Sequence, residues 1–121
     1  MLGRFLPAIA LLAVLTAALS ARADYAAEQE VERLGTALGD FDLGRQTCPA
    51  LAVEGAAVQA EIQRLGGERL NADAVFQRAI RQRLMTGQQD LRKEGPVEYC
   101  EGLLKRYGPE GTVLKGVIKK K

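Results

Sequence analysis

The chain has 121 residues, with 17 basic side chains, 15 acidic side chains and no histidine. This length suits a single small domain. The absence of histidine excludes Ser-His and Cys-His nucleophilic catalysis, zinc or copper sites built on imidazole, and a histidine switch near about pH 6.

The first residues have the pattern of a secretory signal peptide. Arg4 provides a positive charge, residues 5–19 form an apolar run, and residues 21–23 (Ala-Arg-Ala) offer small side chains at the cleavage positions. We predict a signal peptide over residues 1–23 and a single helical domain over residues 24–121, located in the periplasm or secreted. A retained membrane anchor is the alternative, but the apolar run is shorter than the roughly 20 residues of a spanning helix.

Cleavage would also change the charge balance. It would remove Arg4 and Arg22 and leave 15 basic residues against 15 acidic ones. A balanced chain of this kind does not favour binding to nucleic acid or to anionic lipid. We therefore expect no nucleic-acid partner and no stable membrane insertion after cleavage, although the end of the chain is locally basic at Lys115 and at residues 119–121.

The first predicted helix of the mature chain spans Asp24–Leu38, with Gly39 as its C-cap. Its apolar face consists of Ala27, Val31, Leu34 and Leu38. Asp40–Thr47 is predicted to be a loop. Its Asp-x-Asp-x-Gly spacing suggests a calcium loop, but Arg45 occupies the position that needs glycine and Leu51 the position that needs glutamate, so we predict no calcium site.

Two further helices are predicted in the middle of the chain. A proline at the first position opens the second helix, Pro49–Leu65, and Gly66-Gly67 ends it. Asn71 is predicted to cap the third helix, Ala72–Lys93. Gly87 leaves open whether this helix is continuous or broken into two.

The fourth predicted helix has the clearest boundaries. Gly95 and a proline open it, Gly108 and a proline stop it, and its bounds are Pro96–Tyr107. Cys100 lies on the same face as the apolar residues at the third, fourth and seventh positions after it. The following stretch, Gly111–Ile118, is predicted to be a short helical turn or an extended tail packed on the core, because we find no partner strand for it.

The two cysteines predict a disulfide. Only one intramolecular pairing is possible, Cys48 with Cys100, and an exported domain with a thin core needs such a link. Closing a loop of about 50 residues contributes roughly 4 kcal/mol in the chain-entropy model. A redox-active or metal-binding pair is the alternative, but the sequence has no C-x-x-C motif and no imidazole ligand.

Carboxylates are the remaining candidates for catalysis. Glu98 and Glu101 share one side of the fourth helix, and a two-carboxylate hydrolase needs such a pair. A helical chain with 15 acidic residues will contain pairs like this in any case. We also find no phosphate-binding glycine loop and no metal-ligand cluster, so we predict no catalytic residue, metal or cofactor.

Four segments resemble a family of small exported helical proteins of alphaproteobacterial type. They are Cys48-Pro49, the run from Gly87 to Leu91, Tyr99-Cys100, and the apolar end from Gly111 to Ile118. The resemblance covers Cys48 to Ile118 and implies a helical domain with one disulfide and no known function. It supplies no catalytic residues. The architecture is also similar to that of the HdeA-type acid-stress chaperones of the periplasm, which are small, helical and bridged by one disulfide.

The sequence therefore predicts an all-α fold, a small bundle of four helices with a short C-terminal turn or tail and one disulfide. We expect a non-enzymatic exported protein that binds another periplasmic protein or has a structural role. A periplasmic acid-stress chaperone is the first alternative, and a carboxylate-based hydrolase is the second.

Overall fold

The computed structural model describes the backbone of residues 6–121 and the side chains from Arg22 onward. In chain order the elements are α1 (Leu6–Thr47), β1 (Leu51–Val53), α2 (Gly55–Leu65), a 3-10 helix (Gly67–Ala72), α3 (Ala74–Glu94), α4 (Pro96–Tyr107) and β2 (Ile118–Lys120). The predicted all-α class is confirmed, with a two-stranded antiparallel sheet as a minor addition. Most of the predicted signal peptide lies outside the described side chains.

The chain divides into two units, Met1–Glu30 and Val31–Lys121. In the first unit, the side chains of residues 22–30 are all exposed. The second unit contains the core, the disulfide and both strands. Among the residues that the structure describes, no helix is long and apolar enough to cross a membrane.

Helix α1 continues well past the predicted end at Leu38. The prediction of a C-cap at Gly39 and a loop over Asp40–Thr47 is wrong, because the helix runs to Thr47. Gly39 does not turn the chain. A Cβ atom there would lie 2.8 Å from the Cβ of Arg83, so this glycine lets α3 approach closely. The buried stripe of α1 also continues through the predicted loop, at Phe41 and Leu43.

The second helix begins later than predicted. Residues 49–50 form a turn in which the Leu51 N–H donates to the Cys48 carbonyl, and α2 starts only at Gly55. Residues 51–53, predicted to be helical, form β1 instead. Their partner is the end of the chain, with Val53 opposite Ile118 and Leu51 opposite Lys120. The prediction that the last apolar stretch has no partner strand is therefore wrong.

Helix α3 is a single helix. It runs through Gly87 without interruption. The glycine serves packing there, since a Cβ at this buried position would overlap the Cδ1 of Leu43 on α1. The predicted cap at Asn71 is wrong, since Asn71 lies in the 3-10 helix. The cap is Asp73, whose carboxylate accepts a hydrogen bond of 3.0 Å from the Phe76 N–H.

Helix α4 confirms its predicted bounds, Pro96–Tyr107. Gly95 precedes it with a φ of 87°, a conformation that favours glycine. The main core consists of Ala37, Phe41, Leu43, Cys48, Val58, Tyr99, Leu103, Tyr107, Val117 and Ile118. A smaller cluster consists of Leu34, Leu70 and Phe76. The inner face of α4 thus contributes three of the largest residues of the main core.

Candidate functional site

Helix α4 has apolar residues on two faces. The inner face carries Tyr99 and Leu103, which are 2% and 0% exposed. The outer face carries Val97, Cys100 and Leu104, at i, i+3 and i+7. Val97 is 70% exposed, so this second apolar face opens to the surface.

The outer face of α4 forms one wall of a groove of about 490 Å³, here called the disulfide groove. The end of α1, the following turn and the ends of the two strands form the rest. Its lining residues are Thr47, Cys48, Pro49, Ala50, Leu51, Pro96, Val97, Cys100, Glu101, Leu104, Lys120 and Lys121. A concave and mainly apolar surface of this size is typical of binding sites.

A second hollow of about 770 Å³ continues along the same helix and is here called the lysine groove. It shares Leu104 and Lys120 with the disulfide groove. Its other lining residues are Lys105, Pro109, Glu110, Thr112 and Lys119. The Lys119 ammonium pairs with Glu54 over 2.6 Å. The two hollows together follow α4 from its first turn to its end.

The Cys48–Cys100 disulfide lies at the first of these hollows and is confirmed. The two Cα atoms are 5.8 Å apart and the sulfur atoms 1.99 Å apart. Cys48 follows α1 directly and is 2% exposed, whereas Cys100 is half-buried. The link therefore fixes the outer face of α4 against the end of α1, which sets the shape of the groove.

The inner face of α4 is held by a buried ionic network around Asp40, which is 1% exposed. Arg83 Nε donates to Oδ1 of Asp40 over 2.6 Å, and the Tyr99 hydroxyl donates to the same oxygen over 3.2 Å. The Tyr107 hydroxyl donates to Oδ2 over 2.5 Å, and Arg106 Nε lies 3.6 Å from that oxygen. One carboxylate thus joins α1 to α3 and α4.

The network extends from the core to the surface. Arg83 Nη1 donates to Oδ2 of Asp90 over 3.0 Å, and Asp90 is half-exposed. The ring of Phe41 meets that of Tyr107 edge-on, with centroids 4.8 Å apart. The guanidinium carbon of Arg106 lies 5.7 Å from the Tyr107 centroid, while its Nη2 atom is buried and has no hydrogen-bond partner within the described part of the chain.

The network keeps its donors protonated. Burial raises the pKa of Tyr99 to about 12, and the charge of Asp40 acts in the same direction. Burial and Asp40 likewise raise the pKa of Tyr107. Burial alone would lower the pKa of Arg83, but its bonds and charge interactions with Asp40 and Asp90 outweigh burial and raise it. At neutral pH both phenols and the guanidinium therefore donate to the carboxylate.

This network positions the helices, and the carboxylate at its centre is only 1% exposed. Breaking a buried ion pair by removing one partner costs several kcal/mol, so packings that separate Asp40 from Arg83 are unfavourable. The sequence reasoning missed this role because it placed Asp40 in a loop. A signal was available: Asp40 lies three residues after Ala37, on the apolar stripe that continues to Leu43.

The other residues considered from the sequence lie apart from this network. Asp42, the second carboxylate of the apparent calcium loop, is exposed on α1. Glu98 is exposed, and Glu101 is exposed on the rim of the disulfide groove. No group of three potential metal ligands occurs among the residues the structure describes.

No family model, curated protein or solved structure matches the chain.

Proposed function

We propose that this chain is an exported, non-enzymatic domain that binds another protein at the disulfide groove. The exposed position of Val97 carries the proposal. A β-branched apolar side chain that is 70% exposed beside a groove gains free energy when a partner covers it. Cys100 and Leu104, on the same face, are only partly covered by the chain itself.

The rigidity of the groove supports this proposal. Its α4 wall is fixed on one face by the Asp40 network and on the other by the disulfide. A wall held in this way loses little conformational freedom when a partner binds, and less of the interaction energy is spent on ordering.

Two observations support export. Arg4, the apolar run over residues 5–19 and the small residues that follow it have the pattern of a secretory signal. Its only two cysteines form a disulfide, a bond that persists mainly in oxidising compartments.

The test is a comparison of two matched variants in partner capture. Val97→Asp places a charge in the groove, and aspartate in the first turn of a helix favours helix formation, so the fold is preserved. Met85→Asp is the control, because Met85 is 60% exposed on α3 and does not line either groove. Both variants should show the wild-type circular dichroism spectrum.

We expect the immobilised wild-type chain to capture a partner from the exported fraction of its source cells. The Met85→Asp variant should retain that partner, and the Val97→Asp variant should lose it by more than about tenfold. If both variants capture the same proteins as the wild type, the groove is not the binding surface and the proposal fails.

A further inference from the structure

We infer that the partner segment at these grooves is a short peptide with apolar side chains at one end and carboxylates at the other. This inference rests on the proposed function and specifies the chemistry of the partner. The disulfide groove would take the apolar end, and the lysine groove would take the acidic end.

The arrangement along α4 sets the length of the segment. The apolar wall begins at Val97 and reaches Leu104, which lines both grooves, and the next residue, Lys105, lines the lysine groove. From Val97 to Lys105 the helix rises by about 12 Å, at about 1.5 Å per residue. An extended peptide covers that distance with about four residues, at about 3.3 Å each.

The charges indicate what the far end of the segment carries. Lys105 and Lys120 line the lysine groove, are exposed and have no carboxylate within ion-pair distance among the described residues. Lys119 is already paired with Glu54, and Glu110 is the one acidic side chain in this lining. The free ammonium groups therefore outnumber the carboxylate, and a carboxylate on the partner is favoured over a cation.

The opposite end differs in character. Most side chains that line the disulfide groove are apolar, and Pro96 and Val97 lie at the start of α4. The charged side chains in its lining are Glu101, one helical turn after Val97, and Lys120 and Lys121. We therefore expect the partner's side chains beside Val97 to be apolar, because most of the surface that they would cover there is apolar.

Selection from a displayed library of random dodecapeptides tests the inference. The library is selected on the oxidised full-length chain and counter-selected on the Val97→Asp variant. We expect the recovered peptides to combine two or more large apolar residues with a neighbouring Asp or Glu. A recovered peptide is then synthesised with a fluorescent label, and its affinity is measured by anisotropy at low and high salt.

The charge contribution is measured with the double variant Lys105→Glu and Lys120→Glu. Since exposed pairs each contribute modestly, we expect the double reversal to weaken the labelled peptide about tenfold at low salt and less at high salt. Lys115→Glu is the matched control, because Lys115 is exposed and lines neither groove. This control should bind within about twofold of the wild type.

Three results would overturn the inference, and they are distinguishable. Peptides that depend on Val97 but show no acidic preference would refute the charge assignment and leave the proposed function standing. A library with no peptide that depends on Val97 would count against both. Binding of phosphatidylglycerol vesicles that is lost in Val97→Asp would assign the groove to a membrane surface instead.

Discussion

Replacement of Asp40 by asparagine should destabilise the fold strongly, although the two side chains have nearly the same volume. Arg83 and Tyr99 donate to one carboxylate oxygen, and Tyr107 donates to the other. An amide has one acceptor oxygen, so its NH2 group must face a donor. The tyrosine hydroxyl can rotate and accept, whereas the guanidinium cannot. The oxygen of the new amide should therefore stay toward Arg83.

The main loss in this variant is the negative charge. Breaking a buried ion pair costs about 3–5 kcal/mol. The lower end of that range applies here, because the Arg83 side chain is 18% exposed and keeps its ion pair with Asp90. We expect Asp40→Asn to lower the free energy of unfolding by about 3 kcal/mol, a large part of the roughly 5–15 kcal/mol that such domains have.

The assay is urea unfolding at pH 7, followed by circular dichroism. The transition midpoint should fall with little change in its slope, which indicates a change in stability and not in the surface exposed on unfolding. Asp42→Asn, an exposed position two residues further along α1, is the control and should change the free energy by less than about 0.5 kcal/mol. An Asp40→Asn variant as stable as this control would show that the network contributes no net ionic stabilisation.

Two further predictions concern packing and alkaline pH. Gly35→Ala should destabilise the chain by about 1–2 kcal/mol in the same urea assay, since the new Cβ would lie 2.7 Å from the Phe76 carbonyl oxygen. Gly55→Ala, with no atom within 4 Å, should be neutral or slightly stabilising, and equal effects of the two would contradict the close approach of α1 and α3. The folded-state pKa values of Tyr99 and Tyr107 lie above the ordinary value of about 10. The hydrogen bonds of these two phenols therefore stabilise the fold fully below about pH 10, and this stabilisation is lost as pH rises through the folded-state pKa values. Unfolding by urea at increasing pH should show this decline from about pH 10 upward, and Tyr107→Phe should reduce it.

Helix α4 and the disulfide could be predicted because their signals are local or unique. Glycine and proline stand at both ends of Pro96–Tyr107, and both pairs act on the backbone of the residues beside them. The disulfide needed no structural knowledge, since two cysteines allow one intramolecular pair. Neither prediction required knowledge of how distant segments of the chain pack.

The errors occur where a residue acts through a distant contact. Gly39 is predicted to be a C-cap and Gly44 falls within the predicted loop, but both glycines allow close packing. A Cβ at Gly44 would lie 2.8 Å from the Cδ1 of Leu103. A single sequence does not distinguish these two uses of glycine. The strands were missed for a related reason. Three residues are too few to show an alternating pattern, and the partner of Leu51–Val53 lies far along the chain, near the C-terminus.

The candidate site depends on the local pattern of α4 and also on a long-range contact between α4 and α1. The sequence alone did not locate it because it does not show the second. Val97 and Leu104 are ordinary apolar residues of a short helix, and the periodicity of α4 places Cys100 among its inward residues. Tyr99 and Tyr107 decide the actual rotation of the helix, because both must reach Asp40 on α1. That rotation turns Val97 outward and leaves Cys100 at the edge, beside the end of α1. The groove is therefore a consequence of where one buried carboxylate lies, and a change at Asp40 that rotates α4 should alter binding at Val97 as well as stability.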